Sequence, residues 1–455
     1  MKATDLFHDK HSLSEYSTDF GNLRVKEPVV VAKPSSVSSL RDCFEHAHSH
    51  NLRITFKGGG QSFCGQSLCG KGMVIDMQAM LSNQSQVELG DGWVRVPAGM
   101  LLYDLQNYLR QRGLRLPVYT SATKATVGGT IASGGISGRS FSRGLLANHV
   151  LEIELMGSDG RIWLCNENSN ADIFFGSLGT LGLGGAILFL KLQTEKLLPY
   201  RIQMIVKDSP FDSLVPLSGQ LSRITEVVSM EGFIKPVSGK VTVDVYCAME
   251  AAGKSELDAY VQKWREIARN LTISSPSIRT VHIDDDLDFS ASLGGWNPSQ
   301  QQLKMSLLNK KLGVYAVPLP LTLSGLKAAD LIARYSDFIG RYPHFFMTRP
   351  YFAVIDSMKS SQCEWLRLST QESHVIGMDL FVTFPHPLKN QGIDVLNDIA
   401  LMAAEEGARI YPYGYIPDKA LLTRLLPASL PQLKAVSQKT DPGGLIQSVL
   451  ASAME

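Results

Sequence analysis

Glycine is concentrated in three stretches of this chain, each beside a run that reads as a strand. Gly58-Gly59-Gly60 follows Leu52 to Phe56, a second stretch runs from Thr126 to Gly138, and a third from Gly179 to Gly185 precedes Ala186 to Leu192. Backbone comes closest to a ligand where there is no Cβ, and successive N–H groups in such loops form concave anion sites. Single loops of this kind often only make turns; three within about 130 residues point to one large, phosphate-bearing ligand. A dinucleotide fingerprint is absent, because Phe63 stands where G-x-G-x-x-G needs its last glycine, and no P-loop pattern occurs. A different kind of group gathers near the end of the chain. Tyr411, Tyr413 and Tyr415 alternate on a segment that reads as extended, which would align three phenols as acid/base groups. Lys419 and His374 are lesser candidates, read first as surface or satisfied polar residues.

Other tempting clusters have plainer readings. His46 and His50 could share a helix face with His48 beside them, but without an HExxH pattern they read as a solvated helix end, and no metal is expected. Cys64 and Cys69 flank the first glycine loop and read as buried structural thiols. Asp284-Asp285-Asp286 lacks the alternation of a calcium loop and reads as exposed. The six cysteines form no CxxC pair, which excludes a disulfide scaffold or a zinc site.

The elements that must position these groups belong to a large, ordinary globular chain. At about 150 residues per domain, 455 residues suggest two or three domains, and 44% hydrophobic content supports more than one core. With 44 Lys+Arg against 43 Asp+Glu the net charge is +1, without the basic excess that a nucleic-acid binder needs. Asp5, Asp9 and Lys10 interrupt any leader-like apolar run, so the protein is expected in the cytoplasm. The most apolar run, Leu181 to Leu190, is too short to cross a bilayer, and no integral membrane segment is expected. Strands are expected at Val29 to Val31, Met73 to Met77 and Val150 to Met156. Asp91-Gly92 marks a hairpin, and helices are expected after Ser35/Ser36 and from Leu101 to Arg112. After Pro199 glycine thins out. Ser255 to Asn270 and Thr322 to Tyr342 read as helices, Lys240 to Tyr246 and Met378 to Phe384 as strands, and Leu421 to Glu455 as helical with a break at Asp441 to Gly444. The reading is α+β, divided at 1–199, 200–418 and 419–455.

The three loops, in this order, resemble the vanillyl-alcohol-oxidase or PCMH-type FAD-binding oxidoreductases, nearest in pattern to the cytokinin dehydrogenases. The resemblance rests on Ser17 to Asn22, Phe56 to Ser62 with Gly65-Gln66, Thr126 to Thr130 through Gly135 to Gly138 with Phe141 and Arg143-Gly144, and Leu178 to Gly185. Near the end, Ala403 to Tyr411 followed by Asp441-Pro442 is similar to closing segments of that family, decaprenylphosphoryl-ribose oxidase included. The resemblance implies a two-lobed FAD domain facing a separate α+β substrate domain, with the tail returning to the FAD domain. It also implies cofactor contacts from Phe56, Gly58, Gly59, Gly60, Gln61, Ser62, Gln66, Ser121, Thr126, Gly128, Gly129, Ser133, Gly138 and Ile187. The implied reaction is oxidation of a small amine, alcohol or sugar by hydride transfer to flavin N5, with O2 or another molecule as electron acceptor. A flavin-fold binding module or biosynthetic partner without oxidation is the alternative.

Two departures from the pattern matter. Cytokinin dehydrogenases carry a catalytic aspartate where this chain has Ser121, and a hydroxyl cannot serve as that base near neutral pH. Efficient cytokinin oxidation is therefore not expected, and the tyrosines near 411 become the candidate bases. The same enzymes attach flavin through a histidine where this chain has Gln61, whose amide is no nucleophile. FAD is thus expected to be held by hydrogen bonds alone: acid precipitation of the purified protein should release all flavin into the supernatant, and fluorescence kept by the pellet would refute this.

Overall fold

The computed structural model describes residues 5–80, 86–120, 122, 124–237, 240–271, 273, 276–282, 312–347, 350–357, 359, 373–426, 430–448 and 450. Its first sheet has four strands in the order β1 (Leu6–Phe7), β2 (Val30–Ala32), β4 (Met73–Asp76) and β3 (Ile54–Lys57). β2, β4 and β3 are parallel. The helix Val37–Ser49 makes the crossover between β2 and β3; Ser36 caps it, and Leu40, Phe44 and Ala47 turn its apolar stripe inward. Parallel strands end at one rim, so β3 and its following glycines open at the edge of the sheet.

A second, antiparallel sheet runs β5 (Glu88–Gly90), β6 (Trp93–Pro97), β10 (Ala186–Gln193), β8 (Val150–Met156) and β9 (Ile162–Cys165). β7 (Leu114–Arg115) and β11 (Glu195–Lys196) pair as a short ribbon at its side. The Thr126 to Gly138 stretch is not all loop. Val127–Ser133 is a helix, because the Thr126 hydroxyl accepts from the Gly129 N–H at 3.1 Å and starts it.

From Tyr200 the chain builds one broad antiparallel sheet: β15 (Ser277–His282), β12 (Tyr200–Pro210), β14 (Lys240–Ala251), β13 (Val227–Val237), β18 (Tyr351–Asp356), β19 (His374–Pro385), β16 (Val314–Ser324) and β20 (Arg409–Ile410), with β17 (Phe346–Met347) beside β19. The helices Lys254–Asn270, Gly325–Ile339 and Lys389–Glu405 pack on this sheet. The α+β class holds, but Thr322 to Ser324 complete β16, and the helix starts only at Gly325, where Ser324 caps it. The tail is also less helical than its sequence suggests. After the helix Leu430–Thr440, Asp441 accepts from the Leu445 and Ile446 N–H groups and turns the chain into a bridge between Ile446 and Ile54 of β3. Among the described residues no helix is long and apolar enough to cross a membrane.

Glycine-loop domain and broad sheet meet over a buried ionic cluster. Glu250 of β14 accepts from Arg115 of β7 (2.9 Å), Arg139 (2.7 Å) and Arg201 of β12 (2.9 Å), and all four side chains are under 5% exposed. Glu195 of β11 pairs with Arg139 and with Arg143. Burial alone would raise the Glu250 carboxyl, but Arg115, Arg139 and Arg201 outweigh it and hold the group far below the usual carboxylate range. Breaking such a pair leaves charge stranded away from water. Glu250→Gln keeps the shape and removes the counter-charge, so its unfolding free energy in urea is expected to fall by about 3–5 kcal/mol; a loss under about 1 kcal/mol, the worth of an exposed pair, would show that the seam does not depend on this contact.

Candidate active site

The three glycine stretches converge on one cavity of about 340 Å³, within the ~300–1,000 Å³ usual for small-molecule and cofactor sites. Phe56 of β3, Gly58, Gly59, Gly60, Gln61, Ser62 and Gln66 line it from the first stretch; Thr126, Gly128, Gly129 and Ser133 from the second; and Gly182, Gly185 and Ile187 from the third. Ser121 lies outside the described residues, as do Asp284, Asp285 and Asp286. Gly138 is not on the cavity lining; a Cβ there would meet the carboxyl of Glu231, which is on it.

The geometry separates two uses of glycine. A Cβ on Gly59 would fall 1.9 Å from the Lys124 carbonyl oxygen, so this residue lets the first loop press against the second. On Gly129 a Cβ would meet only the Thr126 hydroxyl, at 2.9 Å, and otherwise faces the cavity. The N–H groups of Gly59, Gly60, Gln61 and Ser62 donate to no described residue, and the buried Thr120 hydroxyl has no partner among them. A rim of unspent donors and bare backbone suits a ligand carrying phosphate oxygens, and FAD fits this wall. Asp19 braces the rim from behind, accepting from the Gly65 N–H (2.5 Å) and the Ser62 hydroxyl (3.4 Å); burial pushes its carboxyl up to about 6. Gln66 serves as a tie rather than a free donor, since its amide nitrogen donates to the Pro412 and Gly414 carbonyls.

The broad sheet supplies the facing wall with Pro320, Leu321, Met378 and Phe381, and with two carboxyls absent from the expected site. Glu231 of β13 is 3% exposed; its Oε2 accepts from the Tyr351 hydroxyl at 2.6 Å and its Oε1 has no partner among the described residues. Burial pushes it up to about 7, against the Tyr351 hydrogen bond, the Arg201 charge and the Gly138 N–H. Asp379 of β19 stands opposite Tyr351 in register. Burial raises it to about 6, while a hydrogen bond from Tyr413 works the other way. Each is the lone acid of a mainly apolar strand, and that costly exception was the available sequence signal.

The three tyrosines do not share one side. Pro318 and Pro320 in β16 present carbonyls without N–H groups, and these accept from the N–H groups of Tyr415 (2.7 Å) and Tyr411 (2.9 Å). The segment between them therefore turns instead of continuing extended. Tyr411 reaches the cavity and its hydroxyl accepts from the Gly135 N–H at 2.7 Å, and Tyr413 lines the cavity beside Asp379. Tyr415 is directed into the core, donating to Asn397 at 2.9 Å, and is not a site residue. Burial and then Asp379 raise the Tyr413 phenol well above its ordinary value, so it is a hydrogen-bond donor and not a base at neutral pH. His374 stacks on Phe141 away from the cavity lining, and Lys419 opens an exposed helix end.

Residues 28–166 match the family described as FAD binding domain. Over 191 residues the chain is 32% identical to cytokinin dehydrogenase 9 of Oryza sativa subsp. japonica, covering 41% of this chain and 36% of that protein. Cytokinin dehydrogenase 1 of Arabidopsis thaliana is 30% identical over 194 residues, 42% of this chain and 33% of its own length. The matches thus span little more than a third of these curated relatives. Residues 28–166 thus form an FAD binding domain, and over that part the chain is similar to the cytokinin dehydrogenases.

Proposed function

We propose that this chain is an FAD-dependent oxidoreductase that takes a hydride from a carbon next to an N–H or O–H group of a small, largely apolar amine or alcohol. Glu231 carries the reading: a buried carboxyl on the cavity lining, with one oxygen fixed by Tyr351 and the other without a hydrogen-bond partner of normal geometry among the described residues. FAD held on those loops would supply the acceptor for the hydride. Glu231 accepts the proton that the substrate heteroatom loses, through its unpartnered oxygen. Its value near 7 leaves it ready to take a proton at neutral pH, as general-base work requires. Asp379, steadied by Tyr413, orients a second donor on the substrate. Pro320, Leu321, Met378 and Phe381 exclude water and favour an apolar body over a sugar. A binding module without oxidation would bury Glu231 at a cost and gain nothing from its open oxygen.

The relatives are cytokinin dehydrogenases by name, yet their matches cover about two-fifths of this chain. The proposed substrate class therefore rests on the cavity wall.

The cofactor wall is tested by Gly129→Val. A branched side chain there would strike the Thr126 cap and fill the cavity, so the variant is expected to purify colourless, with a flavin-to-protein ratio near zero; full flavin content would refute the assignment. The chemistry is tested by anaerobic bleaching of flavin-loaded protein with a panel of amines and alcohols that includes isopentenyladenine. A base is active once it has lost its proton, so the bleaching rate should rise with pH through about 7. Glu231→Gln should lose that limb and about 10²–10⁴-fold in rate, and bleaching at the native rate would overturn the role of Glu231.

A further inference from the structure

Aromatic rings crowd around Asp379 on the wall that faces the glycine loops. Asp379 and Phe381 stand two residues apart on β19, so their side chains project to one side; both line the cavity and are half-buried, while Leu380 and Val382 are fully buried. Tyr413 donates to Asp379, and Tyr351 stands directly opposite it on β18. Centre to centre, the Phe63 ring lies 5.9 Å from Tyr413, 6.4 Å from Phe381 and 4.9 Å from Phe20, and Tyr411 lies 5.5 Å from Tyr413. All of these rings line the cavity.

Charge on this lining is one-sided. Among the described residues no Lys, Arg or His lines the cavity, and only the Tyr413 hydrogen bond offsets the burial of Asp379. The FAD that fits the loops carries anionic phosphate, which balances nothing. A carboxylate set among apolar and aromatic groups without a cation is costly. An ammonium ion would supply the missing charge, and aromatic rings attract such ions through their negative faces, most of all where water is excluded. An anionic or sugar-like ligand gains from neither.

We infer that Asp379 and the surrounding rings form a subsite for a cationic nitrogen, so that the substrate carries an ammonium group at one end and the oxidised amine or alcohol at the other. The two ends are distinct, because a protonated or quaternary nitrogen has no lone pair to assist loss of hydride from its carbon. The sheet keeps them apart. Glu231 is opposite Ala353, Ala353 is opposite Gly377, and Asp379 lies two residues beyond Gly377. Two strand spacings across and two residues along place the α-carbons of Glu231 and Asp379 about 12 Å apart. The inference rests on the reading of this cavity as a substrate site with Glu231 at the reacting end.

The test is isothermal titration calorimetry of flavin-loaded protein at pH 8, where Asp379 is ionised. The probe is phenyltrimethylammonium, and 2-phenyl-2-propanol is its neutral counterpart of nearly the same shape. Neither offers a carbon that can lose a hydride by the proposed route, so binding is read without turnover. Unit charges about 5 Å apart at an effective dielectric near 20 attract by roughly two hundredfold in affinity, and desolvation of both ions takes part of this back. The cation should therefore bind at least about tenfold more tightly than the alcohol. Asp379→Asn, which keeps an acceptor for Tyr413, should abolish that preference and leave the affinity for the alcohol unchanged. Phe381→Leu should weaken the cation by about threefold or more while flavin content is kept. Equal affinities for the two probes in the native protein, or a preference that survives in Asp379→Asn, would overturn the inference. If no amine or alcohol bleaches the flavin, the oxidation reading fails instead, whatever the calorimetry gives.

Discussion

Burying Glu250 among three guanidiniums is the constraint on which the arrangement of the molecule depends. Each of these groups would be expensive in the core alone, and only their joint convergence makes the interior position tolerable. The partners come from different parts: Arg115 and Arg139 from the glycine-loop domain, Arg201 and Glu250 from the broad sheet. The seam therefore has one satisfactory registration, and sliding the two parts would strand charge. Because Gly138 precedes Arg139 and lies against Glu231, that registration also sets the distance between cofactor wall and candidate base.

The cavity follows from two walls with opposite chemistry. The loops offer backbone and small polar groups that suit phosphate. The sheet offers an apolar surface interrupted by Glu231 and Asp379, each tolerated there because a phenol donates to it. Burial serves both sides of each pair, raising the carboxyls into the range where protons exchange near neutral pH and keeping the phenols protonated.

Two ties hold the first loop in place. Gln66 and the Phe63 N–H fasten it to the tyrosine turn, which is docked on the proline carbonyls of β16. On the other side the chain's last described stretch bridges Ile446 to Ile54 at the root of β3 and covers the open edge of that sheet. An edge strand that feeds a binding loop is thus backed by chain.

The local pattern of the sequence determines what depends on neighbours along the chain. The Ser36-capped helix, the Asp91-Gly92 hairpin, the strand–glycine junction at Phe56 to Gly60 and the α+β class follow from periodicity and from the absence of Cβ atoms. The three loops in order were enough to suggest a flavin site. Tertiary structure decided everything that depends on strand pairing between distant segments. Tyr411, Tyr413 and Tyr415 look equivalent by spacing, yet Pro318 and Pro320, some 90 residues earlier, turn the segment and send Tyr415 into the core. Thr322 to Tyr342 has helical texture throughout, but the β19 register claims its first three residues. Glu231 and Asp379 were visible only as odd acids in apolar runs; their meeting over one cavity requires β13, β18 and β19 to lie side by side. Which side chains share a cavity is a property of sheet order, and sheet order is set by pairings between segments as far apart as Glu231 and Ala353 that no local pattern records.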